Sequence, residues 1–369
     1  MAEVTNYIDR LVAELCPDGV EYRPLGELLG YEQPTKYLVS SKDYDDSYPT
    51  PVLTAGKTFI LGYTNETEGI YPASKEEPVI IFDDFTTAFK WVEFPFKAKS
   101  SAMKMLTLKS GNNSLFKYVY YAMQCIVYNS SDHARQWISK YSNIEVPVPP
   151  IEIQEAIVEI LDKFTNLEAE LEAELEARTL QYEYYRDSLF EALDCPRVPL
   201  DSFAKIKNGK TYKDFGAGNI PVYGSGGIMT YVDRFAYDKP TVLIPRKGSL
   251  GNLFYLEEPF WNVDTIFYTE IDEEQVIPKF LYYFLKTAHL EDLNTAGGVP
   301  SLTQKVLNKV LIPVPPLEEQ QCIVDILDRF DALTSSLSEG LPAELAARRS
   351  QYEYYRDQLL TFPRKGENQ

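Results

Sequence analysis

The sequence predicts an α+β chain written twice: two mixed α/β globules separated by two long helices that pair as an antiparallel coiled coil, with a pseudo-twofold internal repeat. Three observations carry this. EVPVPPIEIQEAIVEILDKF (145–164) recurs as LIPVPPLEEQQCIVDILDRF (311–330). QYEYYRDSLF (181–190) recurs as QYEYYRDQLL (351–360), in the same order. Two long matched segments in the same order, offset by 166 and 170 residues, mark an internal duplication whose second copy carries four extra residues. Between them, LEAELEAELEA (167–177) repeats a four-residue unit inside the first helical copy only.

The order is globule, helix, globule, helix. It divides the chain into an N-terminal helix (1–19), a first globule (20–149), a central helical region (150–195), a second globule (196–315) and a C-terminal helical region (316–362). The globules correspond more loosely than the helices. TPVLTAGKTFILGYT (50–64) resembles IPVYGSGGIMTYVD (220–233), and FKYVYYAM (116–123) resembles PKFLYYFL (278–285). PVPP forbids helix up to Pro150 and Pro316, so a helix starts just after each. In the first, positions 157, 161, 164, 168, 171, 175, 178, 182, 185 and 189 alternate four and three apart and are apolar except Glu168 and Arg178. That is a heptad seam. The second seam runs Ile323, Leu327, Phe330, Thr334, Leu337, Leu341, Leu345, Arg348, Tyr352, Tyr355, Leu359, with an extra step of four. Gly340 and Pro342 predict a kink or break there. Strands are expected at 77–82, 241–245, 252–256 and 264–269, and Tyr-rich helices near 116–128 and 278–287.

Length, charge and cysteines narrow the function. The 369 residues exceed one ordinary core. No apolar run is long enough to span a bilayer, and the N-terminal stretch lacks the pattern of a signal peptide, so a cytoplasmic protein is expected. The four cysteines (Cys16, Cys125, Cys195, Cys322) form no CxxC pair, and His133 and His289 are the only histidines. Neither a disulfide framework nor a metal site is expected. The net charge of −19 argues against nucleic acid until its distribution is read. Residues 150–195 hold 13 Asp/Glu against 3 Lys/Arg, and residues 316–360 hold 9 against 4. Residues 196–251 reverse this, with 9 Lys/Arg against 4 Asp/Glu. The acidity belongs to the helices, which leaves the globules able to face DNA.

The search for catalytic motifs is negative. RKGSLG (246–251) has the wrong spacing for a phosphate-binding loop, and neither GxSxG nor HExxH occurs. FDDF (82–85) pairs two carboxylates, a pattern more often found in loops and hydrogen-bonding pairs than in nuclease centres. Recognition chemistry remains. KIKNGKTYK (205–213) and IPRKGSLGN (244–252) place basic, hydroxyl and amide side chains in turns. LTAGKT (53–58), FTTAFK (85–90) and KAKSSAMK (97–104) do the same in the first half. Lys and Arg neutralise phosphates, Arg clamps guanine and Asn clamps adenine. The candidate DNA contacts are Lys57, Thr58, Thr86, Thr87, Ser101 and Lys104 in the first half, and Lys210, Tyr212, Ser225, Arg246, Lys247, Ser249 and Asn252 in the second. For each one a solvated surface position is the competing reading; the signal is that corresponding clusters occur in both halves.

These residues resemble the specificity subunit of type I restriction–modification enzymes. The resemblance covers essentially the whole chain, and the two PVPP segments and the QYEYYRD pair are its most specific parts. PVYGSGGIMTYVDRF, IPRKGSLGN and PFWNVDTIFYTE look like one class of target-recognition domain; TPVLTAGKTFILGYT and IIFDDFTTAFKWVEFPFKAKSSAMKML look like another. The resemblance implies a non-catalytic subunit that reads a bipartite, asymmetric site on double-stranded DNA. It implies two modification (methyltransferase) subunits carrying S-adenosylmethionine, and restriction (translocase and endonuclease) subunits using ATP and Mg. No cofactor would be bound directly. It further implies that the tetrapeptide run, with Leu167, Leu171 and Leu175, is a spacer ruler: four helical residues add about 6 Å, comparable to one or two base-pair steps of about 3.4 Å. Good helix-forming sequence with a partial seam is the plainer reading. Packing is favoured over subunit docking for Tyr182, Tyr185, Tyr352 and Tyr355, and Tyr184 and Tyr354 share the same matched ends. Two alternatives stay open: the same subunit in a type II system with a fused nuclease–methylase, and a coiled-coil scaffold whose globules bind protein.

Overall fold

The computed structural model describes residues 2–56, 58–111, 114–128, 134–294, 299–335 and 340–366, without the side chains of 2–6. Two compact units divide the chain, Met1–Ala169 with Ala347–Gln369, and Glu170–Ala346.

The first unit carries α1 (Ala2–Leu15), β1 (Glu21–Pro24), α2 (Leu25–Leu28), β2 (Leu29–Glu32), β3 (Thr50–Leu53), β4 (Ile60–Thr64), β5 (Val79–Asp83), β6 (Phe89–Val92), β7 (Lys97–Ala98), β8 (Met103–Leu108), α3 (Phe116–Gln124), β9 (Glu145–Val148) and the start of α4 (Ile151–Glu191). The second carries the end of α4, β10 (Arg197–Pro199), β11 (Ala204–Asn208), β12 (Ile220–Gly224), β13 (Gly227–Val232), β14 (Thr241–Pro245), β15 (Phe254–Leu256), β16 (Trp261–Asn262), β17 (Ile266–Ile271), α5 (Pro278–Thr287), α6 (Gln304–Leu307), β18 (Leu311–Pro313), α7 (Leu317–Thr334) and the start of α8 (Gly340–Leu359).

The duplication extends to the sheets, where sequence similarity is weak. The first unit has a four-stranded sheet in the order β2-β8-β5-β6, a three-stranded sheet β4-β3-β7 and a ribbon β1-β9. The second has β11-β17-β14-β15, β13-β12-β16 and β10-β18. In each three-stranded sheet the short strand pairs parallel with the middle one. The strand expected at 241–245 coincides with β14, and those at 77–82, 252–256 and 264–269 overlap β5, β15 and β17. Each unit has its own core. In the first, Ile80, Phe82, Leu106, Tyr118, Trp137, Ile153, Ile157 and Leu161 are buried together. In the second, Val242, Ile244, Phe267, Phe280, Phe284, Ile323 and Leu327 are.

The repeated motifs follow from what they bond. Pro150 and Pro316 end the extended segments, and α4 and α7 begin one residue later. At the fourth residue of each of these helices, Gln154 and Gln320 are fully buried. Gln154 Nε2 donates to the Pro149 carbonyl (2.7 Å), and its Oε1 accepts from the N–H of Leu115 (2.9 Å), the N-cap of α3. Gln320 repeats both bonds, to Pro315 O (2.8 Å) and from Ile277 N (2.8 Å), the N-cap of α5. A Lys-Tyr-Asp set recurs beside it. Tyr283 donates to Asp328 (2.5 Å), which also pairs with Lys279 (2.8 Å). Tyr121 donates to Asp162, with Lys117 at 4.0 Å. Burial first, then the neighbouring carboxylate, pushes the Tyr283 phenol well above its usual range. The two sets tie α4 to α3 and α7 to α5.

The QYEYYRD pair packs reciprocally. In the first unit Phe164 of α4 meets Tyr352 and Tyr355 of α8, at 6.4 and 5.7 Å between ring centres. Arg349 there pairs with Glu168 (2.6 Å), so the two segments run antiparallel. In the second unit Phe330 of α7 meets Tyr182 and Tyr185 of α4, at 6.3 and 5.9 Å. The phenylalanine that closes one repeated segment thus receives the tyrosines of the other copy's second segment. Of the first seam, all positions are buried or half-buried except Tyr185. Leu337 of the second seam lies outside the described residues.

The second helical region is not one helix: α7 ends at Thr334 and α8 begins at Gly340. Gly340 has φ +75°, and a Cβ there would lie 2.4 Å from the carbonyl oxygen of Ala332 and 2.6 Å from that of Leu333. Gly340→Ala should therefore cost about 1–3 kcal/mol of local stability. Faster amide exchange in 317–334 would show it; unchanged exchange would mean that the backbone relaxes freely.

Candidate nucleic-acid interface

In the second unit, sheet topology brings several loops to one end. Asn208 of β11 and Ile244 of β14 both pair with Phe267, so β11 and β14 end where β17 starts. The loop after β14 (246–252), the β12–β13 turn and the loop after β11 therefore gather there. Thr265 is the hub of the first two. Its hydroxyl accepts from Ser225 N (3.3 Å), and its carbonyl accepts from Arg246 N (2.9 Å) and Lys247 N (3.3 Å). Asn252 Nδ2 donates to Ser225 O (3.2 Å), and its backbone N–H to Ser249 O (3.2 Å). Gly248, at φ +82°, lets the loop approach Ser225: a Cβ there would touch Ser225 Oγ at 3.4 Å. Arg246 lies over the Phe267 ring at 5.8 Å. Ser225, Arg246, Lys247, Ser249 and Asn252 are thus brought together. Lys210 and Tyr212 sit on the neighbouring loop, held by Trp261: its indole N–H donates to Lys210 O (2.9 Å), and Lys210 N donates to Asn262 O (2.9 Å). The Lys210 side chain is exposed and Tyr212 is half-buried.

The same end of the first unit carries the first-half candidates. Thr58 is exposed in the β3–β4 turn, where its carbonyl accepts from Thr54 Oγ1. Thr86 caps the β5–β6 turn, donating from N (2.8 Å) and Oγ1 (3.0 Å) to Asp83 Oδ1. Thr87 completes the turn at φ +59°. Ser101 is exposed in the adjoining turn, joined to it by Asp84 N donating to Ala102 O (3.0 Å). Lys57 lies outside the described residues.

Lys104 is a correction. Its side chain is fully buried, 3.0 Å from the buried carboxylate of Asp84, and it donates to Gln33 Oε1 (3.1 Å). A charge enclosed this way cannot meet a phosphate. Asp84 also accepts from Trp137 N (2.8 Å), so FDDF is the hydrogen-bonding pair, one carboxylate capping a turn and the other anchoring the core. Sequence reasoning missed Thr265. Its only signal is position, since it follows β16 by three residues as Ser101 follows β7.

The model of the type I restriction modification DNA specificity domain matches twice, at residues 17–177 and 194–347. The chain belongs to this family. The specificity subunit of the type I restriction enzyme EcoR124I/EcoR124II of Escherichia coli is 44% identical, with 97% of this chain and 98% of the relative covered. A putative type I specificity subunit of Haemophilus influenzae is 30% identical over 93% of this chain and 96% of its own length. The fold matches the S subunit of a type I system from M. genitalium with a TM-score of 0.59 at 18% identity, covering 93% of this chain and 96% of that one. A chain from a structure of type I R-M complex assembly matches with a TM-score of 0.57 at 16% identity, covering 93% and 97%. As a specificity subunit, the chain is the recognition component of a restriction–modification system and not its catalytic one. Among the described residues no group of three or more His, Cys, Asp or Glu is placed to hold a metal ion, and no helix is long and apolar enough to cross a membrane.

Proposed function

We propose that this specificity subunit reads a bipartite, asymmetric DNA site, one half-site per unit, and docks two methyltransferase subunits and the restriction subunits through its helical regions. One observation carries the proposal. The two units share every strand order, yet offer different side chains at the same loop ends: Thr58, Thr86, Thr87 and Ser101 in one, Lys210, Ser225, Arg246, Lys247 and Asn252 in the other. A common frame with different reading groups suits two dissimilar half-sites. S-adenosylmethionine, ATP and Mg would belong to the partner subunits. The functional segments would be those read from the sequence: N-terminal helix 1–19, recognition domains 20–149 and 196–315, and helical regions 150–195 and 316–362. The acidity of those helical regions leaves part of the phosphate-neutralising charge to the methyltransferase subunits. Tyr184 and Tyr354, exposed at 69% and 59%, are the docking candidates of the matched tyrosines.

Methylome sequencing of a host with and without the subunit tests this. An interrupted, asymmetric adenine-methylation motif should vanish on deletion; a continuous or unchanged motif would refute the reading. Leu167, Leu171 and Leu175 would act as the ruler. Deleting Leu171 to Glu174 removes about 6 Å of helix and should shorten the gap while both half-sites keep their letters. Altered half-site letters would count against the ruler.

A further inference from the structure

We propose that Leu61 and Met229 are wedges: each unit presses one apolar side chain into a base-pair step of its half-site and unstacks it. The proposal rests on the DNA-recognition reading above. Its first support is a backbone irregularity that occurs twice. In the β12–β13 hairpin, Val222 faces Thr230 but Tyr223 faces Ile228, so Met229 is an extra, unpaired residue. In the β3–β4 hairpin, Val52 faces Gly62 but Leu53 faces Ile60, so Leu61 is extra in the same place. A bulge of this kind re-aims a side chain out of the regular alternation.

The second support is what the bulges carry. Leu61 is 39% exposed and Met229 58%, beside Ile60 and Ile228 at 37% and 50%. The surrounding sequences, GKTFILGYT and SGGIMTYVD, share little else. Twice, an apolar pair is left partly exposed at the same bulge.

The third support is the surroundings. Met229 lies against Gly224, the residue before Ser225: a Cβ on Gly224 would fall 2.8 Å from Met229 Sδ. Met229 thus borders the loops proposed to read bases. Past the open end of that hairpin Arg234, 4.0 Å from Asp233, lies over Phe215 (5.1 Å), which itself meets Trp261 (4.5 Å), the residue that holds Lys210. In the second unit an apolar tip beside Lys210, Arg246 and Lys247 fits a duplex, whose phosphates meet those cations while the tip enters the stack. Leu and Met are among the side chains that wedge base steps, and pyrimidine–purine steps open most readily. Each half-site is therefore expected to contain such a step.

The test uses the full chain and a duplex that the wild-type chain selects from a randomised library, with 2-aminopurine placed at successive positions. Binding should raise the fluorescence severalfold at one position in each half-site. Met229→Ala should abolish the rise in one half-site and Leu61→Ala in the other, while Met229→Leu keeps it. Retention of the duplex without any rise, or a rise that survives both alanine substitutions together, overturns the wedge and leaves DNA recognition standing. A loss of binding to methyltransferase subunits with the rise intact also overturns it and assigns the apolar pair to a protein contact. No retained duplex, even with the methyltransferase subunits present, overturns both readings.

Discussion

Gln320→Leu should unfasten the second unit at the junction of α5 and α7. The buried amide makes three bonds: Nε2 donates to Pro315 O (2.8 Å) and Gln275 O (2.9 Å), and Oε1 accepts from Ile277 N (2.8 Å). Leucine fills a similar volume but leaves two carbonyls and the N–H that opens α5 without partners. Each buried orphan costs about 1–3 kcal/mol, so a loss of about 3 kcal/mol or more is expected. Gln154→Leu removes the corresponding bonds to Pro149 and from Leu115. Among the described residues Gln154 makes two bonds where Gln320 makes three, and its loss should cost less. Amide exchange resolved by peptide is the measurement, because the chain has two units and one global midpoint would blur them. Gln320→Leu should speed exchange across 278–287 and 317–334, and Gln154→Leu across 116–124 and 151–165. Equal protection in variant and parent would show that water or backbone shifts take over the amide's role.

Much of this architecture was legible because the repeat is covalent and local. Pro150 and Pro316 set the helix starts through their own ring geometry, and α4 and α7 begin one residue later. The seam in α4 was legible from spacing, and its positions are buried or half-buried apart from Tyr185. The break before Gly340 was legible from glycine and proline, although the close approach to Ala332 O that requires the glycine was not. Contacts between distant residues were hidden. Nothing local says that Tyr352 packs on Phe164, while its repeat mate Tyr182 packs on Phe330. Thr265 joins the recognition loops through bonds to residues about 20 and 40 positions away, invisible to any motif. Lys104 failed for the same reason. In the basic run KAKSSAMK it reads as surface, and only the pairing of β5 with β8 turns it onto Asp84.

Asp84→Ala should be more damaging than any surface change in the first unit, because it strands the Lys104 ammonium. Both side chains are fully buried, with Nζ 3.0 Å from the carboxylate, and the ammonium also donates to Gln33 Oε1 (3.1 Å). Breaking one side of a buried pair costs about 3–5 kcal/mol, a large part of the about 5–15 kcal/mol that holds a domain together. The carboxylate also fixes Trp137 N (2.8 Å), so its loss loosens the segment that packs Trp137 and Tyr141 against Phe82. Lys104→Met should be damaging by the mirror argument, leaving an anion with one backbone donor. The combination of Asp84→Asn with Lys104→Met removes both charges and keeps an acceptor for Trp137; it should recover most of the loss. A double-mutant cycle read by peptide exchange over 79–108 measures the coupling, with 204–271 as the internal reference. If Asp84→Asn and Lys104→Met, each made singly, simply add in the double variant, the two are not a coupled buried ion pair.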